Sequence, residues 1–186
     1  MVRKYIIILS IILISGCSLF QDNIAEGWKA FENGDYEKAR DCFSKETILN
    51  ANLEAYVGLG WSNAKLGNKE SALSSFEYVI LEDSINYIDA ISGAVFAGSA
   101  MCMDSTSAIR GTYFLSKYPN YVFEHDTTVT FKQVAFTSAC SYVNIGDFSS
   151  ALLMIKIIEP GFNAIPENEQ GKLDILLKIE EISQWI

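Results

Sequence analysis

The 186-residue sequence has one histidine and three prolines, and charged residues make up only 20% of it. A single imidazole excludes a metal centre built from several histidines. Scarce proline leaves long stretches free to be helical, and a 49% hydrophobic share is too high for a disordered chain. Cations are also few, with 14 Lys and Arg against 23 Asp and Glu and a formal charge of −9. Such a surface repels phosphate backbones and anionic lipid, which argues against nucleic-acid partners and against membrane contact through a basic patch. Also missing are a glycine-rich phosphate loop, G-x-S-x-G, H-E-x-x-H and CxxC. We therefore expect no catalytic residue, no metal ligand, no cofactor and no enzymatic activity.

The N-terminus reads MVRKYIIILSIILISGCSLF. Arg3 and Lys4 precede an apolar run, Tyr5 to Ile14, that is too short to cross a bilayer core of about 30 Å as a helix. A basic start followed by a run of this length has the pattern of an export leader, residues 1–16. Leu13-Ile14-Ser15-Gly16-Cys17 resembles the lipobox of bacterial lipoproteins. That resemblance implies cleavage before Cys17, acylation of its thiol and amine, and a lipidated tether over 17–23. Several acyl chains together make an anchor that one chain does not. Ser18 stands where the usual inner-membrane retention signal is aspartate, so the same resemblance favours the outer membrane, facing the periplasm. With Cys17 acylated, Cys42, Cys102 and Cys140 remain, an odd number set among apolar or small residues. They read as buried thiols on helices rather than disulfide partners.

The rest of the chain repeats itself. Aligning Ala25–Phe43 with Val57–Phe76 pairs Gly27 with Gly60, Trp28 with Trp61, Gly34 with Gly67, Asp35 with Asn68, Ala39 with Ala72 and Phe43 with Phe76. All six pairs share an offset of 33. A later copy carries Gly146, Asp147, Phe148 and Ala151. A fainter one carries Asp104 and Ala108, with Met103 at the glycine position. Physically this is a helical hairpin. Glycine takes the left-handed conformation that ends the first helix, Asp or Asn caps the second, and alanine permits close approach.

These residues make the chain resemble the tetratricopeptide-repeat family, with Gly34–Ala39, Leu59-Gly60, the repeated alanines and the two phenylalanines carrying the likeness. The resemblance implies an all-α fold over 24–186: a right-handed α-solenoid of four hairpins (20–52, 53–85, 86–118 and 131–159). Apolar periodicity places helices at 22–33, 36–49, 52–66, 69–81, 86–102, 105–117, 131–145 and 148–158. A ninth, capping helix is expected over 166–185, with Pro166 at its start and Glu167 and Glu169 in its first turn. It is apolar around most of its circumference, so a second stripe is left to meet the insertion after Pro119, a partner, or another copy in a homo-oligomer.

In this family the first helix of each hairpin lines the concave side. By that pattern Ile24, Trp28, Phe31, Val57, Trp61, Lys65, Phe136 and Asn144 face inward and are the candidate residues for a protein or peptide partner. Trp28 and Trp61 either form a stacking surface for a peptide or pack as core. Where members of the family that clamp a C-terminal carboxylate use lysine, arginine and asparagine, this face offers mainly tryptophan, valine, alanine and phenylalanine, so no such clamp is expected. Phe123–Thr128 gathers His125 with carboxylates, but reads as a solvated loop in which Asp126 or Thr127 caps the next helix. The expected function is a membrane-anchored interaction scaffold of the bacterial envelope. A homo-oligomeric structural component is the alternative, and a solute site near His125 and Cys140 stands behind both.

Overall fold

The computed structural model describes residues 22–186; the leader and Cys17 lie outside the described residues. Nine helices are found among them. They are α1 (Asn23–Glu32), α2 (Tyr36–Asn50), α3 (Leu53–Lys65), α4 (Lys69–Asp83), α5 (Ile88–Ala100), α6 (Asp104–Lys117), α7 (Phe131–Asn144), α8 (Phe148–Ile158) and α9 (Glu169–Ser183). The first eight pair in order as four hairpins, each packed on the next. The described residues form no sheet, only one antiparallel bridge between Val122 and Thr130.

Every hairpin turns by the same hydrogen bonds. In the first, the Gly34 N–H donates to the Phe31 carbonyl and the Asp35 N–H to the Ala30 carbonyl, both at 2.9 Å. Gly34, Gly67 and Gly146 hold φ of 80°, 79° and 82°, where a side chain is strained. The third hairpin keeps the turn without glycine. Cys102 adopts φ 58°, its N–H donating to Ser99 and that of Met103 to Gly98. This corrects the expected register by one residue. Cys102, not Met103, occupies the glycine position, and Met103, not Asp104, precedes the second helix. Cys102 is accordingly exposed in a turn rather than buried on a helix. The caps differ as well. Asp35 and Asp147 accept from the N–H of Lys38 and Ser150, whereas Asn68 makes no side-chain cap bond. Its amide donates instead to Asn63.

Between hairpins, close approach is set by glycine against phenylalanine. A Cβ on Gly27 would lie 2.7 Å from the Phe43 ring, and one on Gly58 would lie 2.4 Å from the same ring. Gly60 and Gly93 enclose Phe76 in the same way, at 2.5 and 2.3 Å. Each ring is therefore held between the first helix of its own hairpin and the first helix of the next, with no exposed surface. In the third hairpin the complement is inverted. Gly111 stands where the phenylalanine was, and a Cβ there would collide with the Ser138 hydroxyl of α7.

α9 begins three residues later than expected, because Asn168 caps it and Pro166 and Glu167 precede it. Gly171, Ile175 and Ile182 are its buried stripe against the fourth hairpin. Leu173, Leu176, Leu177 and Trp185 remain exposed, so the insertion does not cover the second stripe.

Replacing a helical glycine by alanine ordinarily stabilises by about 1 kcal/mol. Gly58→Ala should do the reverse, costing about 1–3 kcal/mol by overpacking against Phe43. Denaturant titration against Gly161→Ala, in the turn after α8 where a Cβ would meet open space, checks the sign.

Candidate partner groove and its occupant

The first helices of the hairpins share one face, and the thirteen-residue connector between α6 and α7 lies across it. Connectors between the earlier hairpins need only two and four residues. Within the long connector, Tyr121 and Phe123 are buried and His125 is half-buried, while Val122 and Glu124 are exposed. Alternation of this kind marks an extended chain with one face down. The contacts run backwards along the protein, from the third hairpin to the first.

On α5, the Tyr121 hydroxyl donates to Asp89 Oδ1 at 2.7 Å and lies 2.9 Å from the Ser92 hydroxyl. Burial pushes the Asp89 carboxyl above its ordinary range despite the bond from Tyr121. Burial, with the carboxylate beside it, raises the Tyr121 phenol as well. On α3, the Phe123 ring stacks on Trp61 with centroids 4.5 Å apart and planes 19° apart. Its edge contacts reach Trp28 and Phe31 on α1, each at 6.1 Å. The His125 imidazole then lies flat on the Trp28 indole, 3.7 Å away at 4°, with Nδ1 2.8 Å from Glu32 Oε1. Finally Asp126 accepts from Lys65 Nζ at 2.6 Å. Partial burial acts upward on Asp126, but the bonds from Lys65 and Thr128 outweigh it and hold the carboxyl below its usual range.

Two indoles at equivalent positions thus have different surroundings. Trp28 Nε1 donates to Glu54 Oε1 at 3.0 Å. Trp61 is only 3% exposed, and its Nε1 finds no acceptor among the described residues. A buried donor left unpaired costs about 1–3 kcal/mol.

Of the residues expected to face a partner, Trp28, Phe31, Trp61 and Lys65 come together beneath this segment. Val57 is buried in the core, and Ile24 and Phe136 pack against it. Asn144 bridges to Asp104 at 3.1 Å. The reading of Phe123–Thr128 as a solvated loop is corrected: Phe123 is fully buried, and the cap of α7 is Thr130 with Gln133 completing a capping box. Asp89 and Ser92 were not among the candidates. The alternation of Tyr121, Phe123 and His125 is the one sequence signal of an extended segment with a buried face, and the solvated-loop reading passed over it. Cys140 is half-buried, and burial raises its thiol to about 11, far from a thiolate at neutral pH.

No family model matches the chain, and no curated protein matches it in sequence. Solved structures do. MamA MSR-1 superposes with a TM-score of 0.64 at 15% identity, over 87% of this chain and 85% of that one. MamA AMB-1 gives 0.66 at 15% identity, over 88% and 91%. TTC0263, a thermophilic TPR protein of Thermus thermophilus, gives 0.57 at 16% identity, over 74% and 71%. The fold is that of a tetratricopeptide-repeat protein. At such low identity the likeness extends to architecture, an all-α solenoid of helical hairpins.

Asp89→Asn keeps an oxygen for the Tyr121 hydroxyl but removes a charge that burial disfavours. A carboxyl raised in the fold above its unfolded value loses stability as pH rises through the folded value. The variant should therefore melt higher than wild type at neutral pH, with the difference closing as pH falls to about 4. Thermal melts across that range measure it; a constant difference would exclude the charge as its cause.

Proposed function

We propose that this protein is a membrane-anchored interaction scaffold of the bacterial cell envelope, holding one or more protein partners. The observation that carries the interaction role is the stack of four hairpins, whose shared face gathers aromatic side chains of the first two and a carboxyl and a hydroxyl of the third around one extended segment. The catalytic alternatives have little to support them. His125 is engaged with Trp28 and Glu32, the Cys140 thiol is raised, and no cluster of metal-binding side chains occurs among the described residues.

Anchoring rests on the sequence before the described region. No described helix is long and apolar enough to cross a membrane. On this reading the lipobox-like Leu13–Cys17 supplies the attachment, in the outer membrane on its periplasmic side. Cys17→Ser should move the protein from the membrane to the soluble fraction of expressing cells, and mass spectrometry of the wild-type N-terminus should find an acylated cysteine. In-cell crosslinking of the full chain should recover defined envelope partners; recovery of none would end the scaffold reading.

The exposed stripe of α9 favours a second reading, self-association. Leu173, Leu176, Leu177 and Trp185 are 43–54% exposed on a helix otherwise docked by Ile175 and Ile182. If copies meet there, light scattering of the wild type should give a multiple of the chain mass, and Leu173→Glu/Leu177→Glu should give one. A monomeric wild type would assign that face elsewhere.

A further inference from the structure

We propose that Tyr121–Asp126 is a tethered ligand mimic: it holds the groove of the first three hairpins closed, and the groove's partner is an extended peptide of the same pattern, aromatic rings at alternate positions followed by a carboxylate, which binds by displacing it. This deepens the scaffold reading and rests on it.

Four observations carry the inference. The segment lies in the pose of a bound peptide, its alternate side chains meeting Asp89 and Ser92, then Trp61, then Trp28. Its contacts are those of recognition: flat ring stacking, one ion pair to Lys65 and one bond to Glu32. It is longer than closing the hairpins requires, since α6 and α7 already meet through Gly111 and Ser138 and connectors of two and four residues join the earlier hairpins. Lastly, the closed form is imperfect, because the Trp61 indole, stacked on the Phe123 ring, has its N–H buried with no acceptor among the described residues.

Lys65 also gives the partner a sign. The protein is acidic overall, yet the far end of the groove presents an ammonium paired with Asp126 at 2.6 Å. A peptide ending its aromatic pattern in a carboxylate satisfies Lys65; one ending in lysine leaves it facing a like charge.

A segment on a short tether competes at an effective concentration on the order of millimolar. The test uses the full chain and a fluorescent peptide of residues 119–128, PNYVFEHDTT. Phe123→Ala/His125→Ala, which strips the tethered copy of two of its three rings, should bind that peptide at least tenfold more tightly than wild type. Adding Lys65→Glu to this variant should abolish the gain, and a peptide carrying Asp126→Lys should restore it. Equal affinity for wild type and the released variant overturns the proposal, as does failure of the charge swap. Should the released variant not fold, hydrogen exchange on wild type decides. The Phe123 and Val129 amides, bonded within the connector, should exchange ahead of the core amides of α4, and faster still with added peptide. If they open only with the whole molecule, the segment is core and the proposal falls. A partner crosslinked solely to α9 or to the second helices would leave the scaffold reading standing while removing this one.

Discussion

The close fit of Phe43 and Phe76 between pairs of glycines is the constraint on which the rest of this structure depends. Each ring touches the first helix of its own hairpin and the first helix of the next, at separations no Cβ would allow. Helices brought this near have little freedom to slide, because packed side chains interdigitate rather than glide. The first helices are thereby held in register. Trp28 and Trp61, one residue after Gly27 and Gly60, arrive on the same face of successive helices because the slots beside them are equivalent. The aromatic surface is a consequence of the packing and not a separate device.

That register determines what lies across the surface. An extended chain advances about 3.3 Å per residue and presents alternate side chains downward. Tyr121, Phe123 and His125 can therefore reach hairpins three, two and one in turn, as their contacts show. The two ends of the segment are held differently. At the Tyr121 end a phenol, a serine and a carboxyl form a partly enclosed hydrogen-bonded group next to the bridge between Val122 and Thr130. At the far end the contacts to Glu32 and Lys65 lie nearer the surface, where solvent screens charge. The segment is thus firm at its root and loosest at His125 and Asp126.

Much of the fold was legible in the sequence because three of the four turns and most of the close approaches select one or two residue types. A left-handed turn selects glycine and a tight approach selects glycine or alanine, so Gly34, Gly67 and Gly146 stand out, each five residues before a buried alanine, Ala39, Ala72 and Ala151. The register failed at the third hairpin for a physical reason. Cys102 bears the left-handed conformation and Met103 stands before the helix, so neither letter signals a turn. Of the candidate groove, the platform could be read from Trp28 and Trp61, but its occupant could not. Which helices a connector crosses is a long-range matter, and Asp89, Ser92 and Glu32 acquire their roles only from a segment between 29 and 93 residues away. The apparent solvated loop was misread because His125, Asp126 and the threonines are polar, while the two buried rings precede them.

A groove filled by its own chain changes the physics of the scaffold. An open aromatic surface would expose Trp28, Trp61 and Phe31 to water in the free protein, an invitation to non-specific association. Covered by a tethered segment, the same surface is protected, and a newcomer has to offer more than apolar area, since the segment already supplies that. What the segment does not supply is an acceptor for the Trp61 indole. The difference between self and partner then falls on a polar detail inside an apolar site, where discrimination is steepest because an unpaired buried donor is penalised and a paired one is not. Selectivity of this kind needs no clamp of basic residues, which accords with a first-helix face built mainly of tryptophan, phenylalanine and valine and carrying a single pivotal lysine.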